Sequence, residues 1–147
     1  MSVEITLPEW AYVPGQSPRH PPGAFDHLRA SVSRGQSAEA MGQSAAFLAG
    51  MTFLEAGFYW EAHEVLEPVW LALPPNSCER AFVQGLIQFA NALLKRDMGR
   101  KAASERLLLI ARDHLLNARA QEDTILLGVS VEGVVAKIDM HYNAEIE

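Results

Sequence analysis

The chain has 147 residues, 49% of them hydrophobic, with 12 basic against 18 acidic side chains and a net charge of −6. A chain of this length buries roughly two-thirds of its unfolded surface, so one domain can hold a core without a metal or a disulfide, and near-zero mean hydropathy argues for a globular chain over a disordered one. The acidic balance with no Lys/Arg cluster excludes nucleic acid as a partner, no apolar run reaches the ~20 residues that span a bilayer, and the single Cys78 forms no internal disulfide, so a reducing cytoplasm is the expected compartment.

Residues 1–24 are read as an irregular arm. Pro8, Pro14, Gly15, Pro18, Pro21, Pro22 and Gly23 break any helix or central strand. Trp10, Tyr12 and Val13 are nevertheless apolar, which predicts an arm lying across the domain instead of a free tail. The first eight residues include Glu4 and no apolar run, which does not read as a secretory signal.

From residue 25 to 147 the pattern is helical, rich in Ala, Leu, Glu and Gln. A short helix is predicted over 25–33. A longer one runs over 37–56 and stops at Gly57, a natural residue to follow a helix end. The next runs over 58–71 and is ended by Pro74-Pro75. Asn76, with Glu79 three residues on, resembles a capping box that opens a helix over 77–97. Gly99 marks a turn, and a further helix covers 101–118. After a polar turn, Ser130 N-caps a last helix over 131–142. Short connections join these elements, so the expected fold is all-α: a single-domain antiparallel bundle of about five helices with a Pro-rich N-terminal arm.

The helix over 58–71 carries the chemistry. Its sequence Gly57-Phe-Tyr-Trp60-Glu-Ala-His63-Glu64-Val-Leu-Glu67-Pro-Val-Trp70 places one histidine and three carboxylates among apolar residues. Burying such groups is expensive unless they pair. On a helical wheel Glu67 lies about 20° and His63 about 60° to one side of Trp60, and Glu64 about 40° to the other. His63 and Glu67 are i,i+4 neighbours at the edge of the apolar face, bracketed by Trp60 and Trp70, and can bond directly. Glu61 points nearly opposite His63 and is read as a first-turn residue answering the helix dipole.

The following helix contains 14 uncharged residues from Ala81 to Leu94, the mark of a buried core helix. Within and just beyond that run, Gln84, Gln88, Asn91 and Lys95 form one narrow stripe. Amides both donate and accept, so the stripe is read as a buried polar network facing His63 and Glu67. Arg19 and His20 of the arm are candidates for a lid over this cleft, with surface exposure as the plainer reading.

Other signatures are absent or incomplete. His63-Glu64-x-x-Glu67 has Glu where the zinc-protease helix has its second His. His63 and Glu67 are the metal candidates, and a third ligand would have to come from His20, His27, His114 or His141. A divalent metal is therefore not the favoured cofactor. No phosphate-binding loop, nucleophile elbow or dinucleotide fingerprint is present. Cys78 is read as an ordinary first-turn residue.

The segment Gly57-x-x-Trp60-Glu-Ala-His-Glu-Val-Leu-Glu67-x-x-Trp70, followed by Arg80-x-x-x-Gln84-Gly-Leu-Ile-Gln88, resembles the domain-of-unknown-function family numbered 309, over about residues 8–118. The arm, with Tyr12-Val-Pro-Gly and Arg19-His-Pro, looks like that of a bacterial branch. The resemblance implies an all-α bundle similar to the post-catalytic helical domain of hyaluronidases, and no enzyme activity. It points to His63, Glu64, Glu67, Trp70, Gln84 and Gln88. Family members often carry His where this chain has Lys95, which favours a salt bridge from Lys95 to Glu67 or Glu64 over a metal site.

Three readings of function follow. In the first, Trp60, His63, Glu64, Glu67, Trp70, Gln84, Gln88, Asn91, Lys95, Arg19 and His20 line a cleft that binds a small polar molecule or a protein segment. In the second, His63 is the general base of a hydrolase, oriented by Glu67, with Glu64 as a second carboxylate and metal assistance as an option. In the third, the cluster only fixes helix register. Substrate, partner and oligomeric state are left open, a homodimer among them.

Overall fold

A computed structural model of the chain describes residues 4–146, with side chains described to Ala144. Among these residues it contains seven helices and one small pair of strands. The helices are α1 (Asp26–Arg29), α2 (Ala38–Gly42), α3 (Ala45–Ala56), α4 (Tyr59–Ala72), α5 (Cys78–Asp97), α6 (Lys101–Ala118) and α7 (Val131–Ile146). The strands β1 (Ile125–Leu126) and β2 (Val129–Ser130) precede α7. The fold is thus mostly helical, and α3 to α7 are the long elements.

The helix expected over 37–56 is two helices. Ser44 interrupts it: its hydroxyl accepts from the Phe47 backbone N–H at 3.2 Å and donates to the Met41 carbonyl at 2.7 Å. Serine competes with the helical ladder in this way and favours the N-cap. Gly57 ends α3 in the left-handed region, at φ 91°, as its lack of a Cβ allows. The cap of α5 is Ser77, not Asn76: Ser77 Oγ accepts from Arg80 N at 3.1 Å. The turn before α7 is a hairpin, pairing Ile125 with Ser130 and Leu126 with Val129. Leu127 and Gly128 at its tip both have positive φ, 53° and 79°, as a type I′ turn requires. A leucine there strains the backbone, and burial of the Leu127 side chain holds it.

Consecutive long helices pack in order: α3 on α4, α4 on α5, α5 on α6 and α6 on α7. Because α5 has a neighbour on each side, its uncharged run supplies Phe82, Val83, Leu86, Phe89, Ala90 and Leu93 to the core. Gly85 lets α6 approach closely: a Cβ there would lie 2.8 Å from Leu115 Cδ2 and 3.2 Å from the Ala111 carbonyl oxygen. Leu66 of α4 packs against Gly50 of α3, and Phe47, Phe53, Leu66, Leu108, Leu115 and Ile138 are all fully buried in the core. No helix among the described residues is long and apolar enough to cross a membrane.

Candidate functional site: the arm and the motif helix

The buried charge of the motif helix is Glu61, read from the sequence as a first-turn dipole partner. It does lie in the first turn of α4, but it is completely buried. The burial comes from the arm, which the helical wheel of α4 alone cannot show. Glu61 Oε2 accepts the Tyr12 backbone N–H at 2.8 Å and faces His20 Nε2 at 2.5 Å. The other oxygen, Oε1, is buried with no hydrogen-bond partner among the described residues.

His20 is correspondingly boxed in, its side chain 7% exposed. Its ring stacks on Trp10 with centroids 4.9 Å apart, meets Phe25 edge-on at 5.1 Å and lies 6.0 Å from Trp60. The expected surface alternative for His20 is thereby overturned: Glu61 draws it inward. Trp10 Nε1 donates to the Pro18 carbonyl at 2.8 Å, and Ser17 Oγ ties Val13 N and the Ala11 carbonyl, so the arm folds on itself as it crosses α4. Gln16 also reaches the end of α5, donating to the Asp97 carbonyl at 2.6 Å.

Under the arm lies a cavity of about 310 Å³ whose lining includes Arg19, His20, Phe25, Arg29, Trp60 and Glu64. Arg29 Nη1 donates to the Glu64 carbonyl at 2.7 Å and lies 3.4 Å from Glu64 Oε2, fixing that wall. Arg19 lies over the Tyr12 ring at 5.9 Å and is exposed. Arg19, His20, Trp60 and Glu64 are therefore brought to one place.

The remaining candidates lie elsewhere. His63 Nε2 is 3.2 Å from Glu67 Oε2, with side chains 29% and 43% exposed, so this is a half-open pair. Trp70 is covered by Arg80, whose guanidinium sits 4.2 Å from the ring centroid and also donates to the Leu73 carbonyl at 3.2 Å. Gln84, Gln88, Asn91 and Lys95 are half-buried on α5. The expected hydrogen-bonded network of these amides does not form among the described residues. Lys95 makes no ion pair there either, because Glu64 is taken by Arg29 and Glu67 by His63. No group of three His, Cys, Asp or Glu side chains among the described residues could hold a metal ion. Cys78 is exposed.

At the far end of α5, burial raises the Asp97 carboxyl above its ordinary value, opposed in part by the Arg96 guanidinium. Sequence reasoning missed Glu61 and Arg29. The available signal was a charged residue bordering the apolar arc of α4 beside an arm rich in aromatics.

No curated protein and no solved structure gave a significant match to the chain. The model of the family described as Domain of unknown function (DUF309) matches residues 47–107, from within α3 through α4 and α5 into α6. That span contains the whole Trp60-to-Trp70 motif and the Arg80-to-Gln88 segment, so over these residues the chain is similar to the DUF309 family.

Proposed function

We propose that the protein is a binding module: a single antiparallel helical bundle whose polar cleft, roofed by the arm, takes a small polar molecule or a peptide segment. The observation that carries this reading is the cavity of about 310 Å³ joining Arg19, His20, Trp60 and Glu64. It falls in the size range of ligand sites, which combine apolar and aromatic walls with a few placed polar groups. Trp60 offers a ring face for stacking, Arg19 a cation for an anionic group, and the Arg29–Glu64 couple a fixed donor and acceptor. Glu61 acts behind the site as a positioning residue. It holds His20 and the Tyr12 backbone, and so sets the roof.

The test is a thermal-shift screen of amino acids, sugars and organic acids, followed by calorimetry on the hits. The reading expects a ligand whose affinity falls at least tenfold in Trp60→Ala and is unchanged in His63→Ala. Hits indifferent to Trp60→Ala would overturn it.

A second reading has its own observation. His63 and Glu67 lie at 3.2 Å and are open to water, the arrangement of a general base with its orienting carboxylate. An acid–base hydrolase working there would lose activity in His63→Ala while Trp60→Ala binding stayed intact. Elemental analysis of untagged protein, compared with the His63→Ala variant, tests metal assistance.

A further inference from the structure

The helices pack in sequence from α3 to α7, and the first and last of them flank a groove. Two adjoining cavities of about 360 and 450 Å³ lie along it and share Met51, Glu55, Val134 and Lys137. Their walls run from Phe47 to Glu55 on α3 and from Gly133 to His141 on α7. At 1.5 Å per residue each wall is about 12 Å long. The lining is dominated by aliphatic and thioether side chains such as Leu48, Met51, Leu54, Leu93 and Val134, with the edge of Phe89.

We infer that this groove binds a medium-chain acyl carboxylate, its tail along Met51 and Val134 and its head at the Tyr59–His141 end. Three observations select this occupant. First, Lys137 Nζ reaches across from α7 to Glu55 Oε1 on α3 at 3.4 Å. That bridge crosses the groove where the two cavities meet, and both of its residues line the void on either side. A partner helix is about 10–12 Å across and needs an open trough. Second, Met51 and Met140 offer flexible, polarizable walls that adapt to an alkyl chain. Third, the end of the groove away from Phe47 is lined by Tyr59 and His141, with Arg96 behind them. Arg96 Nη2 donates to Tyr59 Oη at 3.3 Å, so the tyrosine proton remains available to a carboxylate, and Arg96 Nη1 faces His141 Nδ1 at 3.0 Å. Asp97 offsets part of the Arg96 charge from 3.8 Å. This site is separate from the cleft under the arm and does not depend on it.

The test is calorimetric titration of the full chain with laurate, and with dodecyltrimethylammonium as the cationic probe of equal tail, both below micelle formation. The expected result is one laurate site, bound at least tenfold more tightly than the cation. Met51→Trp, at a half-buried position lining both cavities, should weaken laurate at least tenfold while the circular dichroism spectrum is unchanged. Absence of laurate binding, equal binding of the cation, or unchanged laurate binding by folded Met51→Trp would each overturn the inference. So would a dimer that Met51→Trp dissociates and laurate does not, since a second copy would then fill the groove.

Discussion

Glu61 and Glu67 sit on one helix, six residues apart, in opposite electrostatic regimes. Glu61 is wholly buried and receives two arm groups. Removing one partner of such a pair leaves the other desolvated, so Glu61→Ala is expected to lower unfolding free energy by about 3–5 kcal/mol in urea titration. Glu67 is 43% exposed, and Glu67→Gln should cost less than ~1 kcal/mol in the same assay. A reversal of this order would mean that the arm does not dock on α4 as described. Asp97 gives a pH signature. Its folded carboxyl titrates above its ordinary value because burial disfavours the charge, so folding is helped while it is protonated. That contribution is complete below the unfolded value of about 3.9 and is lost as pH rises through the higher folded value. Asp97→Asn should therefore lose less stability than the parent between pH 3 and pH 6, read from thermal midpoints across that range.

At the scale of elements, the helices were largely legible because their signals are local. Gly57, Pro74-Pro75, Gly99 and the uncharged Ala81–Leu94 run each act within a turn or two of chain. The break at Ser44 was missed because Ala-rich helical propensity runs through it, and the serine shows its role only once its hydroxyl finds Phe47 N. Ser44→Ala is expected to cost about 1 kcal/mol, checked by the shift in urea midpoint at unchanged slope. The hairpin at 125–130 escaped because its tip is Leu127-Gly128 in place of the usual Asn-Gly. The candidate site was legible only in part. The i,i+4 geometry of His63 and Glu67 follows from the helix alone. The partner of Glu61 is 41 residues away in sequence, and no helical wheel reports a contact of that range. The same holds for Arg80 on Trp70, which removes Trp70 from the cleft.

For the whole molecule, the arm is what completes the proposed site. It brings Arg19 and His20 onto the one helix turn that carries Trp60, Glu61 and Glu64, and it encloses a cavity there. The most direct measurement is a two-dimensional amide NMR titration of the full chain with mixtures of amino acids, sugars and organic acids. The account predicts shifts clustered on residues 19–29, Trp60 and Glu64. Shifts confined to His63, Glu67 and the Gln84–Asn91 face, or no shift at the arm with any mixture, would contradict it.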